Sequence, residues 1–140
     1  MIENMPNCLY RISSKALILD EQKRFLLVKT EPGYWELPWG GLELWENHIE
    51  TIIRELHEEM NITPISVAKV PSYFVTGPTS QGFGVANVIY ETQINYEDLS
   101  NVIFSYECQE FAFFTKEEAL KLKVYPNIKN FIESFDPENH

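Results

Sequence analysis

Apolar residues recur at helical spacing between Asn47 and Asn61, where Ile49, Ile52, Ile53, Leu56 and Met60 alternate with charged positions. With about 100° per residue and Glu55 at zero, those five fall between about +60° and +160°. Glu59 lies at about +40° and Glu58 at about −60°. One helix therefore carries an apolar stripe beside an acidic one. Asn47 is placed to cap it, and Asn61 to stop it in a left-handed conformation just before Pro64. Elsewhere the pattern favours strands. "YRISSKALILD" and "FLLVKT", separated by "EQKR", read as a hairpin, and "EPGYWELPWGG" as a turn-rich loop with a short extended piece from Trp35 to Leu37. "ISVAKVPSYFVT" and "GVANVIYETQI" form a second strand pair, joined by "GPTSQGFG" as a mobile tip, and "EFAFF" a further strand. "KEEALKL" opens like a capped helix, "PNIKNFIESF" is a second helix with proline in its first turn, and "DPENH" should fray. The order predicts an α/β fold, a mixed sheet flanked by helices.

With 140 residues, 44% of them hydrophobic, the chain suits one core, and residues 1–140 are expected to form a single domain. No apolar run approaches the roughly 20 residues of a membrane span, and "MIENMPNCLY" lacks the basic and apolar parts of a secretory signal, so a cytoplasmic protein is expected. Cys8 and Cys108 stand far apart with no zinc-like spacing and are read as reduced, structural residues. The 21 acidic and 11 basic residues give a formal net charge of −10. That charge disfavours long nucleic acids and anionic membranes. An anionic partner needs a local counter-charge.

Glu55, Glu58 and Glu59 share one helix face, where neighbouring carboxylates raise one another's pKa unless a cation is close. A divalent ion resolves that conflict, and Mg²⁺ commonly bridges carboxylates and substrate phosphates. By spacing alone, a solvated acidic face is the commoner outcome. An EF-hand fits the pattern less well still, because the spaced Asp/Asn ligands and central glycine of its loop are missing.

The surrounding residues carry more. Gly40, five residues, Glu46, seven residues and then Arg54-Glu55-Leu56-His57-Glu58-Glu59-Met60-Asn61-Ile62 resemble the Nudix box, with Asn61 where the family has glycine. "WELPWGG" resembles the family's approach segment and "EFAFFTKEEAL" a segment near its end. Trp39 and Trp45 depart from the family by standing where glycine is common; they either narrow the substrate entrance or pack. The resemblance implies an α/β/α sandwich and a pyrophosphohydrolase acting on a nucleoside diphosphate linked to another moiety. It implies Mg²⁺, with Mn²⁺ as a substitute, held by Glu55, Glu58, Glu59 and the Gly40 carbonyl. A late-loop ligand is implied at Glu107, with Glu110 second. Glu55 is implied as the base that activates water, and Arg54 as the residue that holds a glutamate, Glu46. Homodimers are common among such proteins.

Substrate contacts are read from residue chemistry. Lys29 is placed to reach a phosphate; Tyr34, Tyr73, Phe74 and Phe83 are candidates to stack on a flat group, with core packing the competing reading. His48 and His57 receive no catalytic role; His48 reads as solvated or capping. Two other functions compete: a noncatalytic nucleotide-sensing module of the same fold, and an isoprenyl diphosphate isomerase. The latter needs a cysteine that neither Cys8 nor Cys108 supplies convincingly.

Overall fold

The computed structural model describes residues 9–31, 33–43, 45–79, 82–105 and 108–140. The central sheet is built on β1 (Tyr10–Leu17) and β7 (Gly84–Gln93), which run parallel with Tyr10 opposite Gly84 and Ser13 opposite Asn87. β4 (Trp39–Gly41) lies antiparallel on the outer side of β1, and β5 (Ser66–Val67) and β6 (Tyr73–Pro78) pair antiparallel with the far edge of β7. A second, antiparallel sheet has the order β3 (Trp35–Glu36), β2 (Phe25–Thr30), β8 (Cys108–Phe114).

Alternation along these strands divides the core in two. Ala16, Leu26 and Val28 face the helix α1 (His48–Met60), packing with its Ile52, Leu56 and Met60. Leu17, Phe25, Leu27 and Ile89 face the other way, onto α2 (Lys116–Ala119) and α3 (Pro126–Ser134), through Ala119, Ile128, Phe131 and Ile132. The result is the expected α/β/α sandwich. No helix among the described residues is long and apolar enough to cross a membrane.

Two expectations are corrected. β1 and β2 are not a hairpin: a turn links them, with Asp20 accepting from the Arg24 backbone at 2.9 Å, and a single bridge joins Leu19 to Phe25. Their ladders then diverge into different sheets. Both runs are buried on both faces at Ala16–Ile18 and Phe25–Val28, and strands of that kind need neighbours on both edges. Nor does "DPENH" fray. Asp136 caps a short turn over Pro137–Asn139, and the His140 ring stacks on Phe135, meets the Tyr73 hydroxyl at 2.8 Å and pairs with Glu91. The polar string conceals partners that are distant in sequence. The β6–β7 hairpin forms as expected, while its tip, Ser80 and Gln81, lies outside the described residues.

Candidate active site

α1 starts where the sequence places it. Asn47 accepts from the Glu50 backbone at 2.9 Å and Glu50 reaches back to the Asn47 amide, a reciprocal capping box. The helix stops at Asn61, whose φ of 55° and ψ of 38° put it in the left-handed region. Between those ends the helix lies against β4 so closely that a Cβ on Gly40 would fall inside the Glu55 side chain. Glycine is required here by contact and not by φ.

Arg54 organises the acids. Its Nε and Nη2 donate to the two oxygens of Glu46 at 2.7 and 3.0 Å, a bidentate pair, while Nη1 donates to Glu55 at 2.8 Å and Glu58 at 3.3 Å. Nη2 also reaches the Gly41 carbonyl at 3.4 Å. The hydrogen bond from Arg54 is the chief reason that the Glu46 carboxyl is held down at about 2; the Glu43 backbone and the Thr51 hydroxyl add to it. Arg54 is held still more firmly in its charged form, first by Glu46 and then by Glu55.

Glu59 is 5% exposed, whereas the Glu58 side chain is 57% exposed. The wheel thus orders the acids by depth, with Glu59 beside the apolar stripe and Glu58 at the rim. The Gly40 carbonyl accepts from the Ser13 hydroxyl at 3.3 Å. The Ser105 backbone donates to the Glu59 carbonyl at 3.1 Å, so the late loop begins at the end of α1. Glu107 itself lies outside the described residues. Among the described residues, no three His, Cys, Asp or Glu side chains form a ready metal cage.

Other sequence candidates are not brought to this face. Lys29 and Glu110 pair with each other at 3.5 Å, with Lys29 over the Trp35 ring. Lys29 shares its strand face with Phe25 and Leu27, which face α3, away from α1. Tyr34 stacks on Tyr125 at 4.2 Å with Lys123 over its ring, and Tyr73 packs edge-on against Phe131. Phe74 is exposed on β6, and Phe83 lines a groove of about 510 Å³ with Tyr10 and Asn130. His48 is half-buried and is not the helix cap: its ring stacks on Tyr90 at 4.0 Å and its Nε2 sits 3.3 Å from the Ala68 carbonyl. Trp45 does not pack; it is 92% exposed and its φ is 75°. Trp39 belongs to β4, and its side chain lies outside the described part.

Sequence reasoning overlooked a polar group on the opposite face. Ser13, Lys15, Glu36, Asn87 and Asn127 are all buried, and Lys15 donates to Glu36 at 2.6 Å. The alternation Arg11, Ser13, Lys15 in "YRISSK" was the available signal, one polar face on a strand that becomes wholly apolar afterwards.

Comparison with known proteins agrees with this geometry. A family profile described as the NUDIX domain matches residues 9–135. The chain belongs to the Nudix family. Its fold matches the crystal structure of a MutT protein from Methanosarcina mazei Go1 with a TM-score of 0.79 and 27% identity, covering 96% of this chain and 99% of that one. An Ap4A hydrolase from C. elegans, in a binary complex, aligns with a TM-score of 0.66 at 22% identity, over 88% of this chain and 94% of that one. In sequence, the Nudix chain is 31% identical over 62 residues to an RNA pyrophosphohydrolase of Orientia tsutsugamushi (strain Boryong). That match spans 42% of this chain and only 38% of the relative.

Proposed function

We propose that this Nudix protein is a Mg²⁺-dependent pyrophosphohydrolase, with Mn²⁺ able to substitute, and that its 140 residues act as one catalytic domain. Its substrate is a nucleoside diphosphate linked to another moiety: a nucleoside triphosphate, nucleotide sugar, dinucleoside polyphosphate or ADP-ribose type compound. The observation that carries this reading is the contact of Glu55 with Gly40, where the missing Cβ lets a helix carboxylate lie directly against the strand backbone. The matched relatives bear the names of hydrolases, one a pyrophosphohydrolase, which supports the reaction class.

The residues fit a hard divalent cation. The donors are all oxygen, from Gly40, Glu55, Glu58 and Glu59, and a site with few protein ligands suits an ion that retains water and binds phosphate. When bound, the ion supplies the positive charge that offsets repulsion between a diphosphate and this acidic surface. The protein's own part is positional. Arg54 fixes Glu46 and Glu55 together, and the capping box fixes the start of their helix. Glu55 takes the proton of the attacking water; the water oxygen bonds to phosphorus as the bridging P–O bond breaks, giving two phosphate products.

The test is a phosphate-release screen over the four substrate types, with and without Mg²⁺, repeated with Glu59→Gln and alongside Mn²⁺ binding followed by electron paramagnetic resonance. Turnover should require the metal and fall by orders of magnitude in the variant, with weakened Mn²⁺ binding and an intact fold. Near wild-type turnover of Glu59→Gln at limiting Mg²⁺ would count decisively against the assignment. A nucleotide bound but never consumed would identify a sensing module instead.

A further inference from the structure

The turn from β4 into α1 carries a side chain that the fold does not use. Trp45 is 92% exposed, and its φ of 75° is a left-handed conformation that costs a bulky L residue energy. Burial does not offset that cost, and glycine, which adopts the angle freely, would serve the turn better. Strain kept without a gain in packing points to a function.

The surroundings say which. The Glu46 amide donates to the Glu43 carbonyl at 3.0 Å and the Glu43 amide donates to the Glu46 carboxylate at 3.1 Å, so the backbone on both sides of Trp45 is tied. Arg54 grips the same Glu46 carboxylate, and its Nη1 holds Glu55 at 2.8 Å. Trp45 therefore precedes, by one Cα step of about 3.8 Å, the residue that a single guanidinium joins to Glu55. An indole on an anchored backbone offers a wide flat face with few torsions left to freeze. Leu42, exposed in the same turn, adds apolar surface. The rim beside it is acidic, with the Glu43 and Glu58 side chains both more than half exposed, so a free anionic end group is repelled there while an uncharged ring is not.

We propose that Trp45 is a specificity-determining residue whose indole stacks on a flat ring at the far end of the substrate, across the diphosphate from the first nucleoside. This deepens the function proposed above, selecting the dinucleoside type from its four substrate classes, and rests on its diphosphate site. The test reads binding and not turnover, so the two readings fail separately. Fluorescence titrations in Mg²⁺ use analogues in which P–CH₂–P replaces P–O–P and cannot be hydrolysed: a diadenosine methylenediphosphonate, with a ring at each end, and its ADP-ribose counterpart, with a sugar at one. Wild type should bind the two-ringed analogue about tenfold more tightly, the worth of one stacked base, and its indole emission should be quenched. Trp45→Gly should lose that preference and that quenching while melting no lower, and Trp45→Phe should keep part of the preference. The proposal is overturned if neither analogue binds, if wild type binds both equally, or if Trp45→Gly keeps the preference. A Trp45→Gly protein that melts lower assigns the indole to packing, and wild-type emission that shifts with protein concentration alone assigns it to contact with a second copy; either result overturns the proposal. A preference that Trp45→Gly abolishes, with no phosphate released from any diphosphate, would instead sink the enzyme and leave this stacking standing.

Discussion

Gly40 governs how near β4 comes to the acidic helix, because any side chain there would occupy the volume of Glu55. Gly40→Ala should therefore push Glu55 and its helix away, costing about 1–3 kcal/mol of stability as overpacking does. Turnover should fall roughly 100-fold, as sub-ångström to ångström misplacement does. Thermal melts and phosphate release read the two effects. Glu46 gives a second test. Its folded pKa of about 2 lies below the ordinary 4.5, so its pairing with Arg54 is fully present above pH 4.5 and is lost as pH falls toward 2. Melting temperatures of Glu46→Gln should decline less steeply over that window than those of the wild type, and equal slopes would show that the pair adds nothing on folding. At this scale the box glutamates were legible because unlike residue types stand at fixed spacing. Asn87 was not, since one polar residue in "GVANVIY" gives no hint that its amide is buried without a partner among the described residues.

Elements were legible where local chemistry decides them. Asn47, Asn61, Thr115 and Pro126 mark helix ends by capping, left-handed backbone and fixed φ, and each end falls at its marker. Pairing between strands was less accessible, because β1 and β2 are adjacent in sequence yet continue different sheets, and buried runs do not declare their neighbours. The family's glycine positions carry a testable consequence. Trp45 has a φ of 75° and the residue is 92% exposed, so it contributes little burial to offset its left-handed backbone. Relief of that strain is about 1–2 kcal/mol, against about 0.4–1 kcal/mol of added unfolded-chain entropy for glycine. Trp45→Gly should melt at the same temperature or slightly higher. A clear loss of stability in calorimetry would mean that the indole is packed in solution.

Across the whole molecule, partners far apart in sequence account for what the pattern could not show: His140 closing onto Tyr73 and Glu91, and β7 joining β1 in parallel. Net charge was legible from composition alone, and it has a consequence for the metal. At −10 the chain repels a diphosphate, and a divalent ion bound among Glu55, Glu58 and Glu59 should stabilise the folded state and not the unfolded one. At a hundred times its dissociation constant such an ion adds about 2.7 kcal/mol, a rise of roughly 5–10 °C for a chain of this size. General screening of surface charge would also raise the melting temperature, but it depends on ionic strength and not on ion identity. The comparison is therefore Mg²⁺ against NaCl of equal ionic strength, in wild type and in Glu59→Gln. An excess rise with Mg²⁺ that disappears in the variant locates the ion at the helix. Equal rises in both salts, or an excess that survives Glu59→Gln, would place the effect on the surface at large and leave the acidic face of α1 a solvated one.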